Sequence, residues 1–271
     1  MPTTLRASVG LHVLAAGALA AAPQTLPWVA AALLANHAGL TLAGLWPRSG
    51  LLGPNITRLP AASVARREIA LTIDDGPDPA VTPAVLDVLD EEGARATFFC
   101  IADRVAAQPA LTREIVRRGH SVQNHSTSHR HSFSTLGPRG FRDEVSRAQQ
   151  ILADVTGIAP TCFRAPAGLR NPFLDPVLYG LGLHLVSWTR RGFDTRQADP
   201  ARVLARLTNG LDAGDILLLH DGHAARTTAG RPVLLDVLPA LARRCAQAGL
   251  RPVTLSDVVV PRNPAIAAPV A

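Results

Sequence analysis

Two adjacent carboxylates, Asp74 and Asp75, stand directly after a short apolar run, Ile69-Ala70-Leu71-Thr72-Ile73. The Asp-Asp-Gly-Pro segment they open is turn-forming in composition, and a plain turn is one reading of it. Two like charges side by side after an apolar run nevertheless repel unless something cationic binds them. Farther along, His125-Ser126-Thr127-Ser128-His129 sets two imidazoles at i and i+4. On a helical turn these rings face the same way, within reach of one ion. Surface histidines give the same pattern, so the pair alone is a weak signal. Joined by a carboxylate from elsewhere in the chain, it becomes a two-histidine, one-carboxylate site that keeps positions open for water and substrate. His131 is read as outside that set. Arg164 follows Thr161-Cys162-Phe163, Asp194 follows a run ending at Trp188, and His220 with Asp221 ends Ile216-Leu217-Leu218-Leu219. A histidine closing a buried strand is by default a core residue. The Asp-Gly after His220 marks a turn, where the ring faces a site instead.

These groups need a scaffold, and the apolar runs read as its strands: 69–73, 96–101, 121–123, 161–163, 183–188, 216–219 and 252–254. Helical spacing falls between them, over 82–92, 111–118, 142–155 and 234–248, with Gly93, Gly119, Gly157 and Gly249 as stops. Strands alternating with helices predict parallel pairing through crossover connections. The number of units suits an α/β fold, a closed or partly closed β/α barrel; an open doubly wound sheet is the alternative. In a parallel barrel the C-terminal strand ends converge on one face. Five strand ends that each deliver an ionisable residue to that face are a poor match to chance.

The 271 residues carry a formal charge of +6, and every Lys/Arg position is an arginine. The arginines are scattered rather than striped, and only 4% of residues are aromatic, which argues against base stacking and a nucleic-acid partner. Cys100, Cys162 and Cys245 do not make a disulfide framework and read as small buried hydrophobes, with one bridge left open. Residues 1–48 are different: apolar runs from Ala7 to Ala22 and from Leu26 to Trp46 flank Pro23-Gln24, and no charge lies between Arg6 and Arg48. Three readings compete. The first run is a signal peptide with Ala18-Leu19-Ala20 as its cleavage motif, both runs form a membrane hairpin, or the stretch is one interrupted anchor. Membrane association is the favoured expectation. Arginines on both flanks favour a hairpin, and the side of the membrane stays open. Residues 49–67 read as a linker, 68–260 as the α/β domain and 261–271 as a frayed tail.

From about Glu68 to about Val258 the motifs, in order, resemble the polysaccharide deacetylases of the NodB-homology type, carbohydrate esterase family 4. Thr72-Ile73-Asp74-Asp75-Gly76-Pro77 is similar to the family's first motif, which implies Asp74 as catalytic base and Asp75 as metal ligand. The His125–His129 segment is similar to the second, implying two histidine ligands. Arg164-Ala165-Pro166-Ala167-Gly168 resembles the third, whose arginine orients the base and whose Ala167 position supplies an oxyanion N–H. Trp188 to Asp194 partly resembles the fourth, whose aspartate pairs with the catalytic histidine. Leu218-Leu219-His220 resembles the fifth, with His220 as general acid and Leu218 lining the acetyl pocket. Two departures bear on substrate: Ala167 stands where an aromatic residue is common, and Arg190 and Arg191 enter a segment that is ordinarily acidic. The resemblance implies a distorted barrel, a divalent metal (zinc, or cobalt or another ion), and hydrolysis of N-acetyl groups from a glycan. A deacylase or deformylase of a lipid-linked sugar and a non-catalytic carbohydrate-binding relative are the competing readings. A bacterial-type cell envelope is the expected location.

Overall fold

The computed structural model describes residues 1–262. Two long helices open it, α1 (Thr3–Ala21) and α2 (Leu26–Leu45), followed by the short α3 (Ala61–Ala65). The α/β part then runs β1 (Glu68–Asp74), α4 (Thr82–Glu91), β2 (Ala96–Cys100), α5 (Ala102–Ala107), α6 (Pro109–Arg117), β3 (Ser121–Asn124) and α7 (Pro138–Thr156). It continues with β4 (Cys162–Phe163), α8 (Leu174–Gly180), β5 (His184–Leu185), β6 (Arg190–Arg191) and α9 (Pro200–Thr208). It ends with β7 (Ile216–His220), α10 (Val233–Gln247), β8 (Arg251–Pro252) and α11 (Leu255–Val258). The strands pair in the order β5-β4-β3-β2-β1-β7-β6, with β8 on β1, and every pair is parallel. The sheet curls into an incomplete barrel with helices outside, the partly closed form of the expected architecture.

Side-chain parity along the strands explains why one face carries the chemistry. Successive strand residues point to opposite sides of a sheet. Ile69, Leu71 and Ile73 of β1, Phe98 and Cys100 of β2, and Leu217 and Leu219 of β7 pack outward, in one core cluster with α4 and α10. The alternate residues Ala70, Phe99, Ile216 and Leu218 pack inward, in a second cluster. Burying each such leucine or isoleucine is worth about 1.5–3 kcal/mol, so a one-residue slip of register is strongly opposed. Continued to the strand ends, this parity turns Asp74 and His220 inward, and the register pairs them directly, Asp74 against His220 and Thr72 against Leu218.

Several expectations change. The segment read as a linker packs against the α/β part. Leu52 and Leu59 are buried, Ile56 forms a parallel bridge with Val186, and the Leu59 N–H bonds to the Gly214 carbonyl. Its apolar residues are too sparse for a periodicity signal, yet they lie across the gap between the two sheet edges. The strand expected over 183–188 is β5 extended by the bridge at Val186, after which the chain bends near Thr189 into the separate β6. The last strand is displaced to β8, since Thr254 caps α11 through a reciprocal capping box with Asp257. All three cysteines are free and buried. Residues 261 and 262 of the expected tail are described; 263–271 lie outside the described residues.

The helices α1 and α2 form a hairpin across a three-residue turn, Pro23–Thr25. Both are long and apolar enough to cross a membrane, and Val13, Leu14, Trp28 and Leu34 stand exposed. Polar groups bridge the two helices: Asn36 donates to Ser8 Oγ, and the exposed His12 and His37 Nε2 atoms lie 3.3 Å apart. The foot of α2 rests on the α/β part, where the Arg170 N–H bonds to the Gly44 carbonyl.

Candidate active site and metal centre

The site is built one step beyond the strand ends, and the backbone ladder holds it there. The N–H of Asp75 bonds to Phe99 O, that of His125 to Cys100 O, that of Arg164 to Asn124 O and that of Asp221 to Asp74 O. Each functional residue is thus fixed to the neighbouring strand before its side chain makes any contact. A cavity of about 560 Å³ opens over these ends, lined among others by Asp74, Asp75, His125, His129, Ala167, Trp188, Leu218 and His220. All the residues singled out from sequence line it or stand directly behind it.

Asp75, His125 and His129 come together. Their ligand atoms lie within 4.8 Å of one another. The Oδ1 of Asp75 is 3.2 Å from His125 Nε2 and 3.3 Å from His129 Nε2. Ligands held about 2.1 Å from a tetrahedral ion are themselves about 3.4 Å apart, so the spacing fits one divalent cation. That Oδ1 is buried and has no hydrogen-bond partner. The His125 Nδ1–H donates to the Arg164 carbonyl at 2.8 Å, which turns the Nε2 lone pair toward Asp75. Burial opposes charge on Asp75, yet His125 and His223 outweigh it and hold the carboxyl well below the usual range. Burial likewise opposes a charged His125, but Asp74 and Asp75 raise its affinity for a proton, the same negative field that suits a cation. Burial, helped by His125, lowers His129 to about 4, which leaves it neutral and fit to coordinate.

The helical turn expected for the two histidines is absent. Ser126 and His129 have φ of 68° and 50°, so the segment is a tight loop. Its geometry comes from side chains: the Ser126 N–H bonds to Asn124 Oδ1, and the His129 N–H to Ser126 Oγ. Glu144 on α7 accepts from the N–H groups of Thr127 and Ser128 and from the Ser128 hydroxyl. The i, i+4 spacing works because the loop doubles back. Asp75 also has positive φ, 76°, so Asp-Asp-Gly-Pro is both a turn and part of the site.

Asp74 has different company. Arg164 crosses the barrel interior to donate to its Oδ1 at 2.6 Å and to Thr72 Oγ1 at 2.8 Å. The guanidinium also donates to the carbonyls of Val186 and Ser187 and lies 4.1 Å from the Phe99 ring centroid. Burial lowers the Arg164 pKa, with Asp74 opposing. Asp74 Oδ2 stands 3.8 Å from His125 Nε2, beside the trio but not in it.

His220 sits opposite. Its Nδ1 donates to Asp194 Oδ1 at 2.9 Å, and its N–H donates to Asp194 Oδ2 at 2.7 Å. Burial disfavours the imidazolium, but the Asp194 hydrogen bond and charge prevail and raise the pKa. Ala167 lies on a tight turn over Pro166–Gly168 with φ 54°.

Four residues take a place in or beside the site that the sequence alone does not assign them. Thr72 orients Arg164, and only strand parity signals it. His223 places Nδ1 2.8 Å from Asp75 Oδ2, and its one sequence signal is its place in the turn after His220. Asp221 is wholly buried; burial pushes its carboxyl up to about 7 against the Thr82 hydroxyl bonded at 2.5 Å. Arg191, from the departing fourth motif, lines the cavity 5.4 Å from the Trp188 ring and 5.1 Å from the Phe193 ring.

Comparison with known proteins gives the same picture. The family model described as polysaccharide deacetylase matches residues 61–186. A peptidoglycan-N-acetylglucosamine deacetylase of Bacillus cereus is 32% identical over 70% of this chain and 87% of its own length. A chitooligosaccharide deacetylase of a Bradyrhizobium species is 37% identical over 58% of this chain and 72% of its own. Other curated relatives are longer, and the chain spans 37% of their length. Among solved structures, a family 4 carbohydrate esterase from Streptomyces lividans, in complex with acetate, is 32% identical, with TM-score 0.64 over 72% of this chain and 97% of that one. Fold, strand-end site and sequence relatives agree: the chain belongs to the polysaccharide deacetylase family, the NodB-homology group of family 4 carbohydrate esterases.

Proposed function

We propose that the chain is a metal-dependent hydrolase that removes N-acetyl groups from a glycan built of N-acetylated amino sugars. The carrying observation is the Asp75–His125–His129 trio, with Asp74 beside it and His220–Asp194 in the same cavity. The relatives named for peptidoglycan and chitooligosaccharides support the substrate class.

In this reading Asp75, His125 and His129 hold the divalent ion, zinc by donor set, with cobalt or another ion as alternatives. Bound there, the cation supplies a Lewis acid for the amide carbonyl and acidifies water. Asp74 takes the proton of the attacking water, and Arg164, bonded to its Oδ1, holds that carboxylate in place. The Ala167 N–H donates to the carbonyl oxygen as negative charge develops there. Leu218 lines the space for the acyl methyl. His220, held by Asp194, gives a proton to the departing nitrogen, so acetate and a free amine result. No side chain forms a covalent intermediate. The test is acetate release from N-acetylglucosamine oligomers and from peptidoglycan. Release that stops on chelation and returns with a divalent ion supports the reading. Binding of glycan without release, in metal-loaded protein, would make it a carbohydrate-binding relative.

Residues 68–260 are read as the catalytic unit and the α1–α2 hairpin as a membrane anchor at a bacterial-type envelope, supported by the exposed apolar side chains of both helices. Removing residues 1–48 is expected to move the protein from the carbonate-resistant membrane fraction to the soluble one. A second reading, a deacylase or deformylase of a lipid-linked sugar, is favoured by an apolar cavity of about 740 Å³ at the seam between hairpin and domain, lined by Leu5, Val9, Leu40, Leu45 and Phe173 among others. Turnover of a lipid-linked N-acyl monosaccharide, without turnover of soluble oligomers, would decide for it.

A further inference from the structure

His223 belongs to no motif discussed above, yet it touches the proposed metal centre. Its Nδ1 lies 2.8 Å from Asp75 Oδ2, the oxygen turned away from the two histidines. Its other nitrogen, Nε2, faces Arg104 Nη2 at 3.3 Å. A guanidinium only donates hydrogen bonds, so Nε2 accepts and the ring proton sits on Nδ1, where it can be given to Asp75. The loop is shaped for this contact. A Cβ on Gly222 would lie 2.5 Å from the Asp75 carbonyl oxygen and would also meet Arg104, so only glycine lets the chain pass there. His223 is not one of the three groups whose ligand atoms cluster, and its ring centroid is 6.1 Å from that of His129.

We propose that His223 is a positioning residue for the metal centre. It holds the outer oxygen of Asp75 so that the inner one faces the histidines, and Arg104 selects the imidazole tautomer that does so. The proposal rests on the metal-centre reading. Free carboxylates turn and bind one or two oxygens to an ion; a donor on one oxygen commits the other. Partners of this kind change metal affinity by about 10–100-fold when removed. His223 is half exposed, so its replacement leaves the core intact.

The experiment measures zinc and cobalt dissociation constants by chelator competition, together with the cobalt absorption spectrum, on the full chain. His223→Ala is expected to weaken both ions by about 10–100-fold. His223→Asn, which keeps a donor near the Nδ1 position, is expected to recover most of the affinity with the wild-type cobalt spectrum, and Arg104→Met to give a smaller loss than His223→Ala. His125→Ala is the control for the metal centre itself. Unchanged affinity in His223→Ala, with affinity lost in His125→Ala, overturns the role of His223 alone. Unchanged affinity in both overturns the metal centre. A cobalt spectrum altered in His223→Asn would make His223 a ligand, and the positioning role would fall.

Discussion

Asp74 and Asp75 are neighbours in the chain and live in opposite surroundings. The region around Asp74 is a rigid interior: Arg164, Thr72 and two backbone carbonyls form a closed network stacked on Phe99. The region around Asp75 is a ring of imidazoles on loops, with one carboxylate oxygen left without a partner. The first arrangement fixes the direction of a base. The second leaves lone pairs converging on a space that suits a cation. The difference teaches that one residue of backbone, with a positive φ at Asp75, is enough to send adjacent identical side chains into separate roles.

The sharpest way to break the contrast is to exchange what each aspartate loses. Asp74→Asn is expected to lower kcat/KM by about 10²–10⁴ while metal affinity stays near wild type. His129→Ala is expected to lose both, and metal loss in Asp74→Asn would erase the division. Next, Arg164→Met strands Asp74 in the interior without a partner, and denaturant unfolding should show a loss of about 3–5 kcal/mol. A smaller loss would mean the network is less closed than its geometry.

The third test concerns pH. His220 acts as an acid only while protonated, and Asp194 raises its pKa, so activity falls as pH climbs through that raised value. Asp194→Asn should therefore move the alkaline limb of the kcat/KM profile to lower pH. The smallest effect concerns Asp221, which in the fold keeps its proton up to about pH 7, whereas the unfolded chain releases it in the usual carboxylate range. Stability from this group therefore falls as pH rises from about 4 to about 7 and is level above. Asp221→Asn should be more stable than wild type by about 1–3 kcal/mol at pH 8, with the gain vanishing near pH 4.

Much of this was legible because the fold writes its chemistry at strand ends. Ile69–Ile73 and Ile216–Leu219 are short apolar runs that stop at Asp74 and His220, and their parity alone aims both residues inward. The Arg164 position follows in the same way from Cys162-Phe163. What was not legible depends on partners far away in the chain. The His125–His129 loop takes its shape from Asn124 and Ser126 nearby and from Glu144 farther along the chain, and the i, i+4 spacing by itself equally suits a helical turn. Residues 49–67 mix scattered apolar residues with Gly, Pro and arginine like a linker, and it is the sheet that gives Ile56 and Leu59 partners. His223 carries no local signal of its role, because its contact is with a residue 148 positions earlier.

The account stands most directly on where the ion binds. Crystals of the protein loaded with zinc or cobalt, with diffraction collected across the metal absorption edge, should give one anomalous peak per chain, shared by Asp75 Oδ1 and the Nε2 atoms of His125 and His129, with Asp74 beside it and still paired to Arg164. A peak coordinated by Asp74, or none at this trio in protein that has taken up the metal, would contradict it.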